Sequence, residues 1–403
     1  VRGIYMKPEL LAPAGSAAKL ETALRYGADA VYVSDKRYGL RAFADNFTVG
    51  GIEEAAARVH ACGKKIYVTV NIYAGDGDLG GIPEYARSLE KAGADGAIIS
   101  DMGVFSLFRE AAPSLELHVS TQANVTNSAA AKVWAALGAK RIILARETPL
   151  SDIRRIRDAL PGDVALEAFV HGAMCIAYSG RCLLSSYFTG RSGNKGECAQ
   201  CCRWEYELTE PTRGDALRAE EDGRGTYILS SRDLRMIDHL PELLDAGVSS
   251  FKIEGRMKSE YYVAGAVNAY RRALDLALAG KPFDPVLLEE TEKISHRGYT
   301  TGFYFGEKGG SAGEGRPTAT HAFVALVTGY SDGWAEVEMR NRFAEGDELE
   351  VLSPNDTFGK KVIIGEMIDE HGERVSVADK VQAKLRLRTP LPLREYDILR
   401  KKL

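Results

Sequence analysis

The sequence predicts an α/β protein: a TIM-like (β/α)8 barrel with a cysteine-rich insertion after its seventh strand, followed by a small C-terminal β-barrel. Three observations carry this prediction. A short apolar strand, a turn and an amphipathic helix recur from Pro8 to about Leu278. Five of the six cysteines lie between Gly172 and Trp204. From Phe323 to Leu403, short strand-like segments alternate with turns.

The eight predicted barrel strands are nearly continuous apolar runs. They are Glu9–Gly15, Ala30–Ser34, Lys65–Asn71, Ala97–Asp101, Glu116–Gln122, Arg141–Glu147, Ala165–Gly172 and Phe251–Arg256. Such strands, alternating with helices, are typical of a parallel sheet that is covered on both faces. Eight units point to a closed barrel. An open doubly wound sheet is the competing topology, but no G-x-G-x-x-G turn follows the first strand.

The chain divides into three predicted parts, since single hydrophobic cores rarely grow to 403 residues. Residues 1–305 form the (β/α)8 catalytic domain, which includes the cysteine-rich insertion 172–235. Residues 306–320 read as a Gly-rich linker. Residues 321–403 form the small β-barrel. A loop as long as the insertion is usually functional, and this one would cover the mouth of the barrel.

Composition limits the classes of function. The net charge of −4 argues against a uniformly basic nucleic-acid binder, although a local basic face remains open. The basic residues of the C-terminal segment, such as Arg386 and Arg388, could face phosphates or form an ordinary solvated surface. No apolar run is long enough to span a membrane, and the first residues do not resemble a signal peptide. We therefore expect a cytoplasmic protein whose thiols stay reduced.

Polar residues gather where the predicted strands end. In a (β/α)8 barrel these positions form the carboxyl-terminal face, where active sites are built. Single members of the set could instead cap the next helix or form salt bridges. The whole set favours a site; it comprises Asn71, Asp101, Ser120, Thr121, Gln122, Arg146, Glu147, Glu167, His171, Glu254 and Arg256.

The clustered cysteines indicate metal or redox chemistry. Cys175, Cys182, Cys198 and Cys202 have the spacing C-x6-C-x15-C-x3-C, and Cys201 is an additional thiol. Structural zinc sites generally use two close pairs of ligands, and only one pair is close here. Four thiolates can instead hold an iron–sulfur cluster. The spacing alone leaves zinc and an iron–sulfur cluster open.

The segment Glu167–Ser185, EAFVHGAMCIAYSGRCLLS, carries a recognisable signature. It resembles the pattern E-x-F-x-x-G, a small and an aliphatic residue, then C-x4-G-x-C-x-aliphatic-S of the collagenase-like peptidase family of unassigned catalytic type. The likeness continues through PELLAPAG, VSTQAN, FKIEGRMKSEYY and SHRGYTTGF to MRNRFAEGDELEVLSP, so it spans nearly the whole chain.

Within that family, the chain is most similar to the members that hydroxylate the wobble uridine of tRNA at carbon 5, using prephenate and iron–sulfur chemistry. The resemblance implies a [4Fe–4S] cluster held by Cys175, Cys182, Cys198 and Cys202, with tRNA and prephenate as partners. It also allows a paralogous partner subunit. Cys201 stands where the family usually has proline, so an exchange of the ligand Cys202 for Cys201 stays open.

The remaining candidates follow from that reading. The two carboxylates of prephenate need bidentate donors, for which arginine geometry is suited. The predicted binding residues are Arg41, Asn71, Gln122, Arg146, Lys252 and Arg256. His171 could shuttle protons or only donate a hydrogen bond. Glu167, Glu254 and Asp101 could be acids or bases, or salt-bridge partners of the same arginines.

Two other classes of function compete with RNA hydroxylation. The first is a peptidase with a structural metal site. The sequence has no H-E-x-x-H motif and no known cysteine-protease signature. A cysteine that binds a cluster is also unavailable as a nucleophile. The second is a non-catalytic RNA- or partner-binding protein that uses the β-barrel and keeps the cluster as a redox sensor.

Overall fold

The computed structural model describes residues 8–40, 46–175, 177–204, 220–222, 225–227, 231–306 and 317–403. Arg41 and most of the predicted linker 306–320 lie outside these residues. Within them, no helix combines the length and the apolar character needed to cross a membrane.

The described chain contains the following strands and helices, numbered in chain order. The strands are β1 (Glu9–Pro13), β2 (Ala30–Ser34), β3 (Lys65–Val70), β4 (Gly96–Ile99), β5 (Glu116–Val119), β6 (Arg141–Ile143), β7 (Ala165–Ala173), β8 (Glu220–Asp222), β9 (Gly225–Tyr227), β10 (Asp233–Arg235), β11 (Ser250–Ile253), β12 (Tyr299–Thr300), β13 (His321–Ser331), β14 (Trp334–Met339), β15 (Phe343–Ala344), β16 (Glu348–Leu352), β17 (Lys361–Ile363), β18 (Met367–Asp369), β19 (Arg374–Val375), β20 (Val377–Ala378), β21 (Lys384–Arg388) and β22 (Ile398–Lys402). The helices are α1 (Ala17–Arg25), α2 (Val49–Ala61), α3 (Asp76–Leu79), α4 (Ile82–Lys91), α5 (Met102–Ala111), α6 (Ser128–Ala136), α7 (Leu150–Ala159), α8 (Leu184–Thr189), α9 (Leu240–Asp245), α10 (Glu260–Leu278) and α11 (Val286–Lys293).

The barrel is closed and parallel, which confirms the predicted fold class. Strands β1 to β7 pair in chain order, and β11 pairs in parallel with both β7 and β1. All five residues of β2 are buried, as expected for a strand with side chains packed on both faces. The eight predicted strands therefore correspond to the eight barrel strands, each ending within a few residues of its predicted limit.

Helix caps fix where the barrel helices begin. Ser16, Asp101, Asn127 and Ser259 precede α1, α5, α6 and α10, and each side chain accepts a hydrogen bond from a backbone N–H of the first turn. These bonds satisfy donors that the helix itself leaves unpaired. The turns after the strands are thereby held in defined conformations at the mouth of the barrel.

Two further strands extend the sheet beyond the closed barrel. Strand β10 runs antiparallel to the end of β7, and β12 pairs in parallel with β10. A buried ion pair joins β10 to the turn before β12, with Arg297 Nη2 2.6 Å from Asp233 Oδ1.

The C-terminal segment is a curled antiparallel sheet, in agreement with the predicted small β-barrel. Its strand order is β17-β16-β22-β13-β14-β21-β18-β19, and a short ribbon pairs β15 with β20. Alternate residues, such as Leu385 and Leu387 of β21, point into a second hydrophobic core. The sheet also packs on the barrel, because Leu352 and Ile398 belong to the main core.

Candidate active site

A cavity opens over the carboxyl ends of the barrel strands and is called here the mouth cavity. Seven of the eight barrel strands, or the turns that follow them, contribute to its lining. The lining residues are Tyr32, Leu40, Thr69, Asn71, Ile98, Ser120, Thr121, Gln122, Ile143, Arg146, Phe169, Lys252, Glu254 and Arg256. Its empty volume, open mouth included, is about 560 Å³.

Three of the predicted cations converge on this cavity. Arg146 lies with its guanidinium 4.0 Å from the centre of the Phe169 ring and donates to the carbonyl of Ala173 at 2.9 Å. Arg256 is buried and donates to Thr69 Oγ1 at 3.3 Å. Lys252 is buried too, with its ammonium 4.5 Å from the centre of the Tyr32 ring. Such a concentration of positive charge in a partly enclosed cavity favours an anionic ligand.

Two predicted amides stand beside the cations. Asn71 Oδ1 accepts a hydrogen bond from the backbone of Leu40 at 3.2 Å, which orients its side chain. Gln122 Oε1 is buried and has no hydrogen-bond partner among the described residues. A buried acceptor without a donor is costly, so a hydroxyl or amine of a ligand would satisfy it.

Glu254 is the one predicted acid that lines the cavity. Its Oε2 accepts a hydrogen bond from the Tyr32 hydroxyl at 3.3 Å. It also lines a second cavity, the side cavity, together with Cys175, Cys198, Cys202 and Lys258. Glu254 therefore stands between the mouth cavity and the cysteines.

Glu167 lies below the mouth cavity, in a buried ion network. Its carboxylate accepts from Lys252 Nζ at 2.8 Å and from Arg141 Nη1 at 2.9 Å, and Arg141 also binds Glu9 at 2.6 Å. Burial alone would raise the pKa of Glu167, but the charges of Lys252 and Arg141 outweigh it and lower that pKa to about 2. A carboxylate held ionised in this way is suited to positioning Lys252 rather than to exchanging protons.

His171 lies behind the barrel wall and does not line the mouth cavity. Its ring packs among Tyr262, Tyr270 and Tyr299, with centroid distances of 5.8, 5.2 and 5.7 Å. Burial, reinforced by Lys258 and other nearby cations, lowers its pKa to about 3. The imidazole is therefore neutral at pH 7, in a setting that favours a structural role over a proton shuttle.

Asp101 also stands apart from the cavity. Its Oδ1 accepts from the backbone N–H of Val104 at 2.9 Å, which is the N-cap bond of α5. Asp101 therefore makes a helix-capping bond, which the sequence allowed as the alternative to a place in the site.

All five clustered cysteines line one further cavity, called here the thiol cavity. Cys201 is buried, Cys175 is exposed and the other three are half-buried. Burial raises the pKa of the Cys202 thiol to about 11, although the positive charge of Arg203 acts to lower it. The lining consists of Leu40, Thr121, Gln122, Arg146, Cys175, Ser179, Cys182, Leu184, Ser185, Gly193, Cys198, Cys201 and Cys202. Arg146 and Gln122 thus line both the thiol cavity and the mouth cavity.

The cysteine segment is fixed over the mouth of the barrel; we call its described residues 174–175 and 177–204 the lid. The Glu147 carboxylate, which follows β6, accepts from both the backbone N–H and the hydroxyl of Ser179. Ser179 has a φ of 41°, in the left-handed region that few residues adopt. The backbone N–H of Tyr73 donates to the carbonyl of Asn194 at 3.1 Å. These bonds place the thiols beside the strand ends.

The structure adds residues that the strand-end pattern missed. Tyr32, Thr69 and Phe169 line the mouth cavity from inside the strands, one or more residues before the strand ends. Alternation along β3 could have indicated Thr69, since its side chain points the same way as that of Asn71 two positions later. Arg141 and Glu9 stand at the starts of β6 and β1, so a pattern of polar residues at strand ends does not include them.

Comparison with known proteins agrees with the signature at Glu167–Ser185. Residues 15–313 match the model of peptidase family U32, and residues 319–400 match that of the peptidase family U32 C-terminal domain. The chain is 42% identical to tRNA hydroxylation protein P1 of Bacillus subtilis, over 88% of this chain and 85% of that protein.

Two other relatives carry different names. The chain is 36% identical to the 23S rRNA 5-hydroxycytidine C2501 synthase of Escherichia coli, over 91% of this chain and 56% of that protein. It is 30% identical to a collagenase of Porphyromonas gingivalis, over 95% of this chain and 94% of that protein. Because the family model covers most of the chain and the Bacillus subtilis relative aligns over most of both proteins, the chain belongs to peptidase family U32.

Proposed function

We propose that the chain is an RNA hydroxylase that forms 5-hydroxyuridine at the wobble position of tRNA, with an iron–sulfur cluster and prephenate. The observation that carries the proposal is the contact between two cavities, one rich in cations and one lined by five thiols, which share Arg146 and Gln122. Relatives named for hydroxylation of tRNA and of an rRNA cytidine support RNA as the substrate. The reducing cytoplasm is the compartment that suits such thiols.

The donor set of the thiol cavity fits an iron–sulfur cluster. All five thiols line one cavity, and Cys175, Cys198 and Cys202 also line the side cavity. Four cysteine thiolates are the usual ligands of an iron–sulfur cluster. Bound there, it would supply one-electron chemistry beside the mouth cavity.

The ligand choice between the two adjacent cysteines favours Cys202. Cys202 lines both the thiol cavity and the side cavity, whereas Cys201 is only 2% exposed. We expect Cys202→Ser to lose most of its iron and acid-labile sulfide after anaerobic purification, and Cys201→Ser to keep most of both. Equal loss in the two variants, or loss confined to Cys201→Ser, would reverse the assignment.

Prephenate suits the mouth cavity by its functional groups. It carries two carboxylates for Arg146, Arg256 and Lys252, and a hydroxyl that can donate to Gln122 Oε1. Arg146→Gln should weaken prephenate binding at least tenfold, as measured by calorimetry on the anaerobic protein, because a buried charge-assisted bond is removed. Arg87→Gln, an exposed change on α4, is the matched control. If Arg146→Gln bound prephenate as tightly as the wild type, the mouth cavity would not be the binding site of prephenate.

Nucleoside mass spectrometry tests the hydroxylation itself. A strain without this protein and without any redundant paralogue should lack 5-hydroxyuridine in its tRNA, and the wild-type chain should restore it. The double variant Cys175→Ala/Cys182→Ala should not restore it. If the deletion strain kept the nucleoside, or if only rRNA lost a hydroxylated cytidine, tRNA would be the wrong substrate.

The collagenase relative keeps a peptidase as the second candidate. A cysteine–histidine pair would be its simplest catalytic arrangement. Yet His171 Nδ1 contacts the Tyr270 hydroxyl at 3.4 Å, and its Nε2 has no hydrogen-bond partner among the described residues. We therefore expect no cleavage of gelatin or casein. Cleavage that Cys175→Ser abolishes would restore the peptidase assignment.

A further inference from the structure

The outer surface of the lid carries large apolar side chains that face solvent. Tyr187 is 83% exposed, Leu183 74%, Phe188 45% and Trp204 43%. The rings form a continuous series, with 5.1 Å between the centroids of Tyr187 and Phe188 and 6.1 Å between those of Phe188 and Trp204. We call Tyr187, Phe188 and Trp204 the aromatic platform. A contiguous exposed apolar group of this kind marks an interaction site.

The charge of the lid is opposite to that of the whole chain. Residues 177–204 contain four Lys or Arg side chains and one acid, Glu197, in a chain whose net charge is −4. The cations are Arg181, Arg191, Lys195 and Arg203. Exposed rings interleaved with cations are what single-stranded nucleic acids require, since bases stack on the rings and phosphates bind the cations. An apolar protein partner would not need the positive charge.

The platform and the thiol cavity are two sides of the same short elements. In α8, Leu184 and Ser185 line the thiol cavity while Tyr187 faces solvent. Trp204 directly follows the turn Cys201–Arg203, which carries two of the thiols. A strand of RNA on the platform would therefore lie within one helix diameter, about 10 Å, of the cavity.

We infer that the aromatic platform binds unpaired bases of the substrate RNA and holds them beside the thiol cavity. This inference rests on the proposed function. Stacking is tolerant of sequence because every base has a π-face, so the platform would recognise a single-stranded loop rather than a particular base. Nucleotides next to the target nucleotide, and not the target nucleotide itself, would occupy the platform.

Leucine substitutions separate base stacking from general apolar contact. Tyr187→Leu/Phe188→Leu keeps two large apolar side chains but removes both rings. We expect this variant to bind an unmodified anticodon stem–loop at least tenfold more weakly than the wild type, in fluorescence anisotropy on the anaerobic protein. Tyr187→Phe/Phe188→Tyr keeps the rings and should bind as the wild type does. Phe305→Leu, a change at a ring 47% exposed elsewhere, is the matched control.

The outcomes distinguish this inference from the proposed function. If the wild type binds the loop and the leucine variant binds it equally well, the platform is not the RNA site, while RNA hydroxylation stands. The same conclusion follows if a fully paired duplex, which has no loop, binds as tightly as the stem–loop. If the wild type binds no RNA and restores no 5-hydroxyuridine, both fall together. Iron content, measured in each variant, confirms that the lid has folded.

Discussion

Glu167 carries a charge that forms structural ion pairs inside the barrel. Its carboxylate is fully buried between Lys252 and Arg141, and the same Lys252 lines the mouth cavity. Glu167 belongs to the family signature, which suggests an acid or a base. Its contacts instead orient the cationic Lys252 toward the mouth cavity. A buried ion network with every member paired is rigid, and losing one member leaves an uncompensated charge.

Glu167→Gln should therefore be strongly destabilising. Removing one partner of a buried ion pair typically costs about 3–5 kcal/mol, and here Arg141 and Lys252 both lose a carboxylate. Urea unfolding should show a lower free energy of unfolding by an amount in that range. Glu110→Gln, an exposed change on α5, should leave the free energy of unfolding within about 0.5 kcal/mol of the wild type. A stable Glu167→Gln protein with no activity would instead indicate a catalytic carboxylate.

His171 predicts a particular dependence of stability on pH. Because its folded pKa is about 3, below its ordinary value of 6.5, the unfolded chain takes up a proton between these values that the folded chain does not. Between these two values, His171 alone should lower the free energy of unfolding by about 1.4 kcal/mol for each unit by which the pH is decreased. His171→Gln should lack that part of the slope, whereas His371→Gln, at an exposed position, should keep it. If the free energy of unfolding depended on pH equally in both variants, His171 would be protonated in the folded protein as readily as in the unfolded chain.

The lid depends on a few bonds to the barrel rather than on a core of its own. Its described elements are one short helix and three single turns, and Glu147 holds the strained Ser179 in place. The position of the thiols over the strand ends is thus set by the turn after β6. Elements with so few buried contacts open locally before the rest of a protein unfolds.

Glu147→Ala should loosen the lid without unfolding the barrel. Two hydrogen bonds to Ser179 disappear, and the left-handed backbone there loses its support. Hydrogen exchange followed by mass spectrometry should show faster exchange in residues 177–204 and unchanged exchange in the barrel strands. In air, the variant should also lose its visible absorbance sooner. Unchanged protection of the lid would show that other contacts carry it.

The barrel strands were predictable because they obey a simple rule: both faces are buried, so their sequences are apolar runs between turn signals. Strands β10, β12 and β22 were not predicted. The first two are short, and β22 (ILRKK) reads as a charged tail, although its Arg400 is fully buried against acids from another element. The convergence of Asn71, Gln122, Arg146, Lys252, Glu254 and Arg256 followed from their places at strand ends.

The positions of His171, Asp101 and Glu167 could not be predicted in the same way. Asp101 follows β4, and its place as the N-cap depends on where α5 begins. Which side of β7 Glu167 and His171 face depends on the pairing of that strand, and the register with β11 shifts between Lys252 and Ile253. A shift of one residue exchanges the two faces of a strand. Sequence alone therefore indicated that these residues lie near the mouth of the barrel, but it did not separate those that line the cavity from those that support it.

At the scale of the whole molecule, the C-terminal sheet is bonded to the barrel through buried charge. Arg400 of β22 binds the carboxylate of Glu290 in α11 at 2.8 Å and also pairs with Glu350 of β16, and Lys293 binds both acids. The Tyr26 hydroxyl after α1 donates to the carbonyls of Leu352 and Tyr396. The family's C-terminal domain is thus part of one folded unit with the barrel here.

Calorimetry should accordingly show one cooperative unfolding transition for the wild-type chain. Arg400→Gln leaves Glu290 and Glu350 facing each other with one cation between them, so it should lower the melting temperature by several degrees and broaden or split the transition. Arg374→Gln, which removes an exposed pair with Glu345, should change the transition little. Two separate transitions in the wild type would contradict the coupling of the two parts.

The central claim is that the thiols over the barrel mouth hold an iron–sulfur cluster for chemistry on RNA. The iron and acid-labile sulfide content of the anaerobically purified protein tests it most directly. We expect about four of each per chain, with a brown colour that is lost in Cys175→Ala/Cys182→Ala. A colourless protein that contains stoichiometric zinc, or no metal at all after anaerobic reconstitution with iron and sulfide, would contradict it.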